Sequence, residues 1–88
     1  MLEISFSNAA AKFLEKIELA LARRLGKQID ALSATPFPKG TKRVENSWFE
    51  NEKVFRIRVG DYRILYSINY YKNRIMIVTI DKRSRVYD

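Results

Sequence analysis

Two residues, Gly60 and Asp61, separate two runs of strand-type sequence, Val54 to Val59 and Tyr62 to Asn69, and they leave the pairing of those runs almost no freedom. A Gly-X pair between β runs is the chemistry of a two-residue hairpin turn, because glycine takes the positive φ of the first corner without strain. Such a turn fixes the register. Val59 faces Tyr62, Arg58 faces Arg63, Ile57 faces Ile64, Arg56 faces Leu65 and Phe55 faces Tyr66. Side chains alternate across a sheet. Phe55, Ile57, Val59, Tyr62, Ile64 and Tyr66 therefore share one apolar face, and Arg56, Arg58 and Arg63 share the other.

The apolar face needs a cover, and the first part of the chain has the pattern to supply it. Leu2, Ile4 and Phe6 alternate with Glu3 and Ser5 as in a short half-buried strand. Ser7-Asn8 then offers a helix cap. Phe13, Leu14 and Ile17 form one helical stripe; Leu21, Leu25, Ile29 and Leu32 form a second in a different phase. The pattern predicts helix from about Asn8 to Ser33, interrupted near Ile17 to Leu19. Pro36 and Pro38 in Thr35-Pro36-Phe37-Pro38-Lys39-Gly40 end it.

Beyond the prolines, Lys42 to Glu45 reads as a short strand and Asn46 to Asn51 as a loop carrying Trp48 and Phe49. Arg74 to Ile80 is the last strand, linked to the hairpin through the polar Asn69 to Asn73, and Asp81 to Asp88 is a polar tail. The expected architecture is α+β: an N-terminal strand, a helical hairpin and an antiparallel β-meander in one sheet, with the helices on one face. With 88 residues the chain has room for one domain, residues 1–88.

Composition narrows the function classes. The chain has 17 Lys plus Arg against 10 Asp plus Glu, for a net charge of +7. Residues 1–38 hold five basic and four acidic residues, so the remaining twelve basic and six acidic ones give residues 39–88 a charge of +6. That asymmetry points to a polyanionic partner. There is no Cys and no His, which removes thiolate nucleophiles, sulfur-ligated metals and the usual general base. No cofactor or metal site is expected. No signal peptide is visible at Met1-Leu2-Glu3, and Ile75 to Ile80 is too short to span a bilayer, so a cytoplasmic, membrane-free domain is expected.

Arg58 opposite Arg63 places like charges together, an arrangement that weakens a sheet by some tenths of a kcal/mol. One reading is a solvated face covered by long basic stems. The other is an anion site, with guanidinium groups gathered to grip phosphates. Lys82, Arg83 and Arg85 at the end of the last strand favour the second, since they can converge with Arg63 on one sheet face. Trp48 and Phe49 suit core closure better than base stacking. Tyr70, Tyr71 and Asp61 read as turn residues, Glu50 and Glu52 as solvated loop charges. Tyr87 fits either a tail anchor or an active phenol.

Phe55-Arg56-Ile57-Arg58-Val59-Gly60-Asp61-Tyr62-Arg63-Ile64-Leu65-Tyr66, an apolar strand, then Asp81-Lys82-Arg83-Ser84-Arg85-Val86-Tyr87, resembles the RelE/ParE toxin superfamily. The likeness is to the RelE branch, archaeal members included, and extends over nearly the whole chain. It implies the toxin of a type II toxin–antitoxin pair, a ribosome-dependent messenger-RNA endonuclease that cuts A-site codons. In that chemistry the RNA's own 2′-hydroxyl attacks the adjacent phosphate, so a chain without His, Cys or metal is no obstacle. The resemblance implies that Arg63 binds and polarises the scissile phosphate, that Arg83 stabilises the transition state or protonates the leaving oxygen, and that Tyr87 orients or activates the 2′-hydroxyl or stacks on a base.

Arg56 and Arg58 stand where bacterial relatives carry two lysines, one proposed as the general base. Arginine, with a pKa above about 12, is a poor proton acceptor. Either electrostatics therefore dominates at Arg58 or another group acts as the base, and Arg56, Lys82 and Arg85 are expected to contact RNA phosphates. The implied partners are an acidic RelB-like antitoxin wrapped around the basic body as a hetero-oligomer, the ribosome and messenger RNA. Two rivals stay open at this stage: a ParE-like gyrase inhibitor on the same fold, and a non-catalytic ribosome- or RNA-binding protein.

Overall fold

In the computed structural model, which describes residues 1–82, the chain forms β1 (Glu3–Phe6), α1 (Asn8–Lys16), α2 (Leu19–Ala31), β2 (Lys42–Phe49), β3 (Glu52–Val59), β4 (Tyr62–Asn69) and β5 (Arg74–Lys82). The strands make one five-stranded sheet in the order β1-β5-β4-β3-β2. β2 to β5 are an antiparallel meander, and β1 lies parallel to β5. This is the expected α+β architecture.

The helical hairpin breaks where the two apolar stripes fall out of phase. Ile17 and Glu18 are extended, with ψ 163 and 153. Ser7 starts α1: its hydroxyl accepts the Ala10 N–H at 3.1 Å and donates to the Val78 carbonyl at 2.6 Å. One side chain thus caps a helix and ties it to the far strand. Leu25 and Ile29 of α2 and Ala10 of α1 are wholly buried with Ile64, Tyr66, Ile75 and Ile77 of the sheet, and Ile57 is nearly so. The buried Tyr66 hydroxyl donates to the Pro36 carbonyl at 2.5 Å, anchoring the proline linker to the middle of the sheet. Burial raises its pKa above 10.0, partly opposed by the nearby Thr41 hydroxyl.

The β3–β4 hairpin keeps the register expected from its turn, from Val59↔Tyr62 through Arg58↔Arg63 to Phe55↔Tyr66. Gly60 has φ +61, the first-corner conformation of a Gly-X turn. A Cβ there would stand 2.8 Å from Nη2 of Arg24, the far end of an exposed side chain that can move aside, so the positive φ is what requires glycine.

Three strand boundaries differ from the sequence expectation; β3 opens at Glu52 and not Val54, so Glu52 is a strand residue and not a loop charge. β2 continues through Phe49 where a loop over Asn46 to Asn51 is expected. Its pairing slips between Arg43 and Trp48, with Asn46 at φ 57, so a bulge absorbs the polar residues that looked like a loop. The turn is Glu50-Asn51 alone, both at positive φ. Trp48 does not close the core: it is 60% exposed, with the Arg43 guanidinium 5.3 Å from its ring centroid. At the other end β5 runs past Ile80 to Lys82, so Asp81 and Lys82 belong to the sheet and not to a tail.

Candidate functional site

The helices occupy one face of the sheet, and the other carries Arg56, Arg58 and Arg63 in the expected register. Arg58 is exposed, Arg56 half-buried, and the Arg63 side chain 16% exposed. Two residues that sequence reasoning missed join them. β2 pairs Lys42 with Arg56, which puts an exposed lysine on the arginine face. β5 pairs Asp81 with Arg63. The face therefore has two rows of charge, Lys42–Arg56 and Arg58–Arg63–Asp81. Neighbouring strands are about 4.8 Å apart and the rows about 7 Å apart.

Asp81 holds Arg63 with two bonds, Nε to Oδ1 at 3.3 Å and Nη2 to Oδ2 at 3.1 Å. A carboxylate gripping the Nε edge of a guanidinium fixes its plane and aims the Nη1 side elsewhere. It also answers the like-charge problem, because Arg63 has Arg58 on one side and a counter-ion on the other. A β-bulge makes the pairing possible. From Asn69↔Arg74 to Tyr66↔Ile77 the β4–β5 register is regular, and continuing it would set Arg63 against Ile80. A one-residue slip at Val78 moves the pairing to Leu65↔Thr79 and Arg63↔Asp81. The Val78 carbonyl in that bulge is the one that receives the Ser7 hydroxyl. The start of α1 and the orientation of Arg63 are thus linked through one serine.

The register corrects one expectation. Lys82 pairs with Tyr62, so alternation assigns it to the helix side of the sheet and away from Arg63. Arg83, Arg85 and Tyr87 lie outside the described residues. Among the described residues no cluster of three or more carboxylates could hold a metal ion, and no helix is long and apolar enough to cross a membrane. What the face offers chemically is a preorganised set of cations above an apolar sheet: it can bind a phosphodiester and stabilise extra negative charge on it.

The sequence profile for the ParE toxin of the type II toxin–antitoxin system parDE matches residues 4–87. No curated protein is significantly similar in sequence. Among solved structures, the archaeal RelE–RelB complex of Pyrococcus horikoshii OT3 superposes with a TM-score of 0.78 at 26% identity, over 96% of this chain and 97% of that one. The toxin–antitoxin complex RelBE2 of Mycobacterium tuberculosis gives 0.74 at 24% identity, over 93% and 98%. The isolated E. coli RelE toxin gives 0.75 at 20% identity, over 99% and 92%.

Proposed function

The chain belongs to the ParE toxin family of type II toxin–antitoxin systems, and we propose that within it the protein is a RelE-type, ribosome-dependent messenger-RNA endonuclease acting in the cytoplasm. The observation that carries this reading is the row Arg58–Arg63–Asp81 beside Lys42–Arg56 on the sheet face opposite the helices. A surface that served solubility alone would gain nothing from orienting Arg63 so closely.

The reaction is a transesterification. The 2′-oxygen of the A-site nucleotide forms a bond to the adjacent phosphorus, and the bond from phosphorus to the 5′-oxygen breaks. The 2′-hydroxyl loses a proton and the departing 5′-oxygen gains one, leaving a 2′,3′-cyclic phosphate and a 5′-hydroxyl. Arg63, set by Asp81, binds the non-bridging oxygens, and Arg58 adds charge as the phosphorane develops. Arginine is a poor proton acceptor, so neither is assigned the role of base. Arg83 stabilises the leaving oxygen and Tyr87 orients the 2′-hydroxyl, as the family resemblance implies. Arg56 and Arg85 hold flanking phosphates.

A RelB-like acidic antitoxin masks the basic face; the similarity to RelE–RelB complexes supports that partner. The match to a ParE profile favours a second reading, inhibition of DNA gyrase without RNA chemistry. Ribosomes programmed with a defined messenger, followed by primer extension, separate the two. Cuts inside the A-site codon that disappear in Arg63→Ala support the endonuclease. An intact messenger together with inhibited supercoiling supports the other.

A further inference from the structure

We infer that a cleft at the outer edge of β3 is a nucleotide subsite, holding the nucleoside next to the phosphate gripped by Arg58 and Arg63. The inference rests on the reading of the arginine face as an RNA site. β2 pairs with β3 only as far as Lys42 and Arg56, so among the described residues the β3 edge from Ile57 onward has no strand beside it. The linker from α2 passes this edge through Pro38, Lys39 and Gly40. Together with Gln28, Ile57 and Arg58 these residues line a cleft of about 230 Å3. Gly40 turns there at φ +93 with nothing within 4 Å of where a Cβ would stand, so the linker bends without filling the space.

The lining suits a nucleotide better than an apolar segment. Lys39 and Arg58 are both exposed and cationic, and no carboxylate lines the cleft among the described residues. Gln28 brings an amide that both donates and accepts, which is what reading the edge of an unstacked base requires. Pro38 and Ile57 add an apolar wall. Arg58 belongs to the cleft and to the Arg58–Arg63 pair at once. A strand whose phosphate rests on that pair therefore delivers its adjoining nucleoside into the cleft, while Lys42 and Arg56 meet the next phosphate along.

Amide NMR of the full chain, titrated with each of the four ribonucleoside 5′-monophosphates, tests the assignment. Saturable shifts are expected at Gln28, Lys39, Gly40, Ile57 and Arg58. Lys39→Ala should weaken the apparent affinity about fivefold, as the loss of one exposed charge contact, and Gln28→Ala should narrow the spread among the four bases. The spectra report directly whether each variant is folded. Shifts confined to the aromatic groove of Phe37, Trp48 and Tyr70, no saturable shifts at all, or two variants that titrate like the wild type would each overturn the subsite. A wild-type protein that cuts messenger but shows no shifts at this cleft loses the subsite and keeps the reaction; shifts there with an intact messenger do the reverse.

Discussion

Ser7→Ala should cost the protein stability in two separable parts, although Ser7 lies at the start of α1 and far in sequence from the arginine face. The hydroxyl accepts the Ala10 N–H at 3.1 Å and donates to the Val78 carbonyl at 2.6 Å. Loss of a serine cap costs about 1 kcal/mol. Loss of a part-buried hydrogen bond to the bulge carbonyl costs about 1 kcal/mol more. The sum, about 2 kcal/mol, corresponds to a fall in Tm of roughly 8–16 °C for a domain of this size. Ser7→Asp keeps the cap acceptor and loses the donor, so it should lose only about 1 kcal/mol. Ser7→Thr keeps both and should stay close to the wild type. Urea denaturation with thermal scans on the three variants gives the order Thr, Asp, Ala. Loosening the Val78 bulge should also broaden the Arg63 Nε–H resonance in the alanine variant, because the bulge sets Asp81 opposite Arg63. If Ser7→Ala lies within about 0.5 kcal/mol of wild type, or Asp falls as far as Ala, the double role assigned to this hydroxyl is wrong.

Three further outcomes follow from the same geometry. Asp81→Asn removes a negative charge beside Arg63, so binding to an uncleavable single-stranded RNA should gain about 0.7 in salt slope, while messenger cutting falls about tenfold as the guanidinium loses its fixed plane; tighter binding with undiminished cutting would show that Asp81 does not position Arg63. Gly60→Ala must hold alanine at φ +61, which costs about 1 kcal/mol in a urea midpoint; the contact with Arg24 adds little, because an exposed side-chain end can swing aside. Tyr66 has a pKa raised by burial in the folded state, so its contribution is complete below the unfolded value of 10.0 and declines as pH climbs through the folded one. Tyr66→Phe should flatten that alkaline limb in pH-dependent denaturation while costing about 1 kcal/mol at neutral pH through the lost bond to Pro36.

The hairpin was legible because a two-residue turn leaves no register to choose, and every pair from Val59↔Tyr62 to Phe55↔Tyr66 follows from it. With that register came the three arginines and the face the helices cover. Lys42 and Asp81 were not legible, for one physical reason. Each reaches the arginine face past an irregularity, and an odd-numbered register slip, three residues in β2 and one in β5, exchanges the two faces of a strand. In β2 the bulge lies between Arg43 and Trp48 and looked like a loop; in β5 it lies at Val78, inside an apolar run with no local sign of irregularity. The only trace of it upstream is Ser7, and a helix-capping serine gives no hint that its hydroxyl also serves a strand. The placement of Lys82 failed for the same reason, because its side of the sheet depends on that one slipped residue.

The central claim is that this basic face cuts messenger through the RNA's own 2′-hydroxyl. Ribosomes programmed with two messengers, identical except for a 2′-deoxy nucleotide at the scissile position of the A-site codon, test it most directly. The expected result is cleavage of the all-ribose messenger, with a 2′,3′-cyclic phosphate on the upstream fragment, and an uncut deoxy-substituted one. Equal cutting of both, or of neither, would contradict the claim.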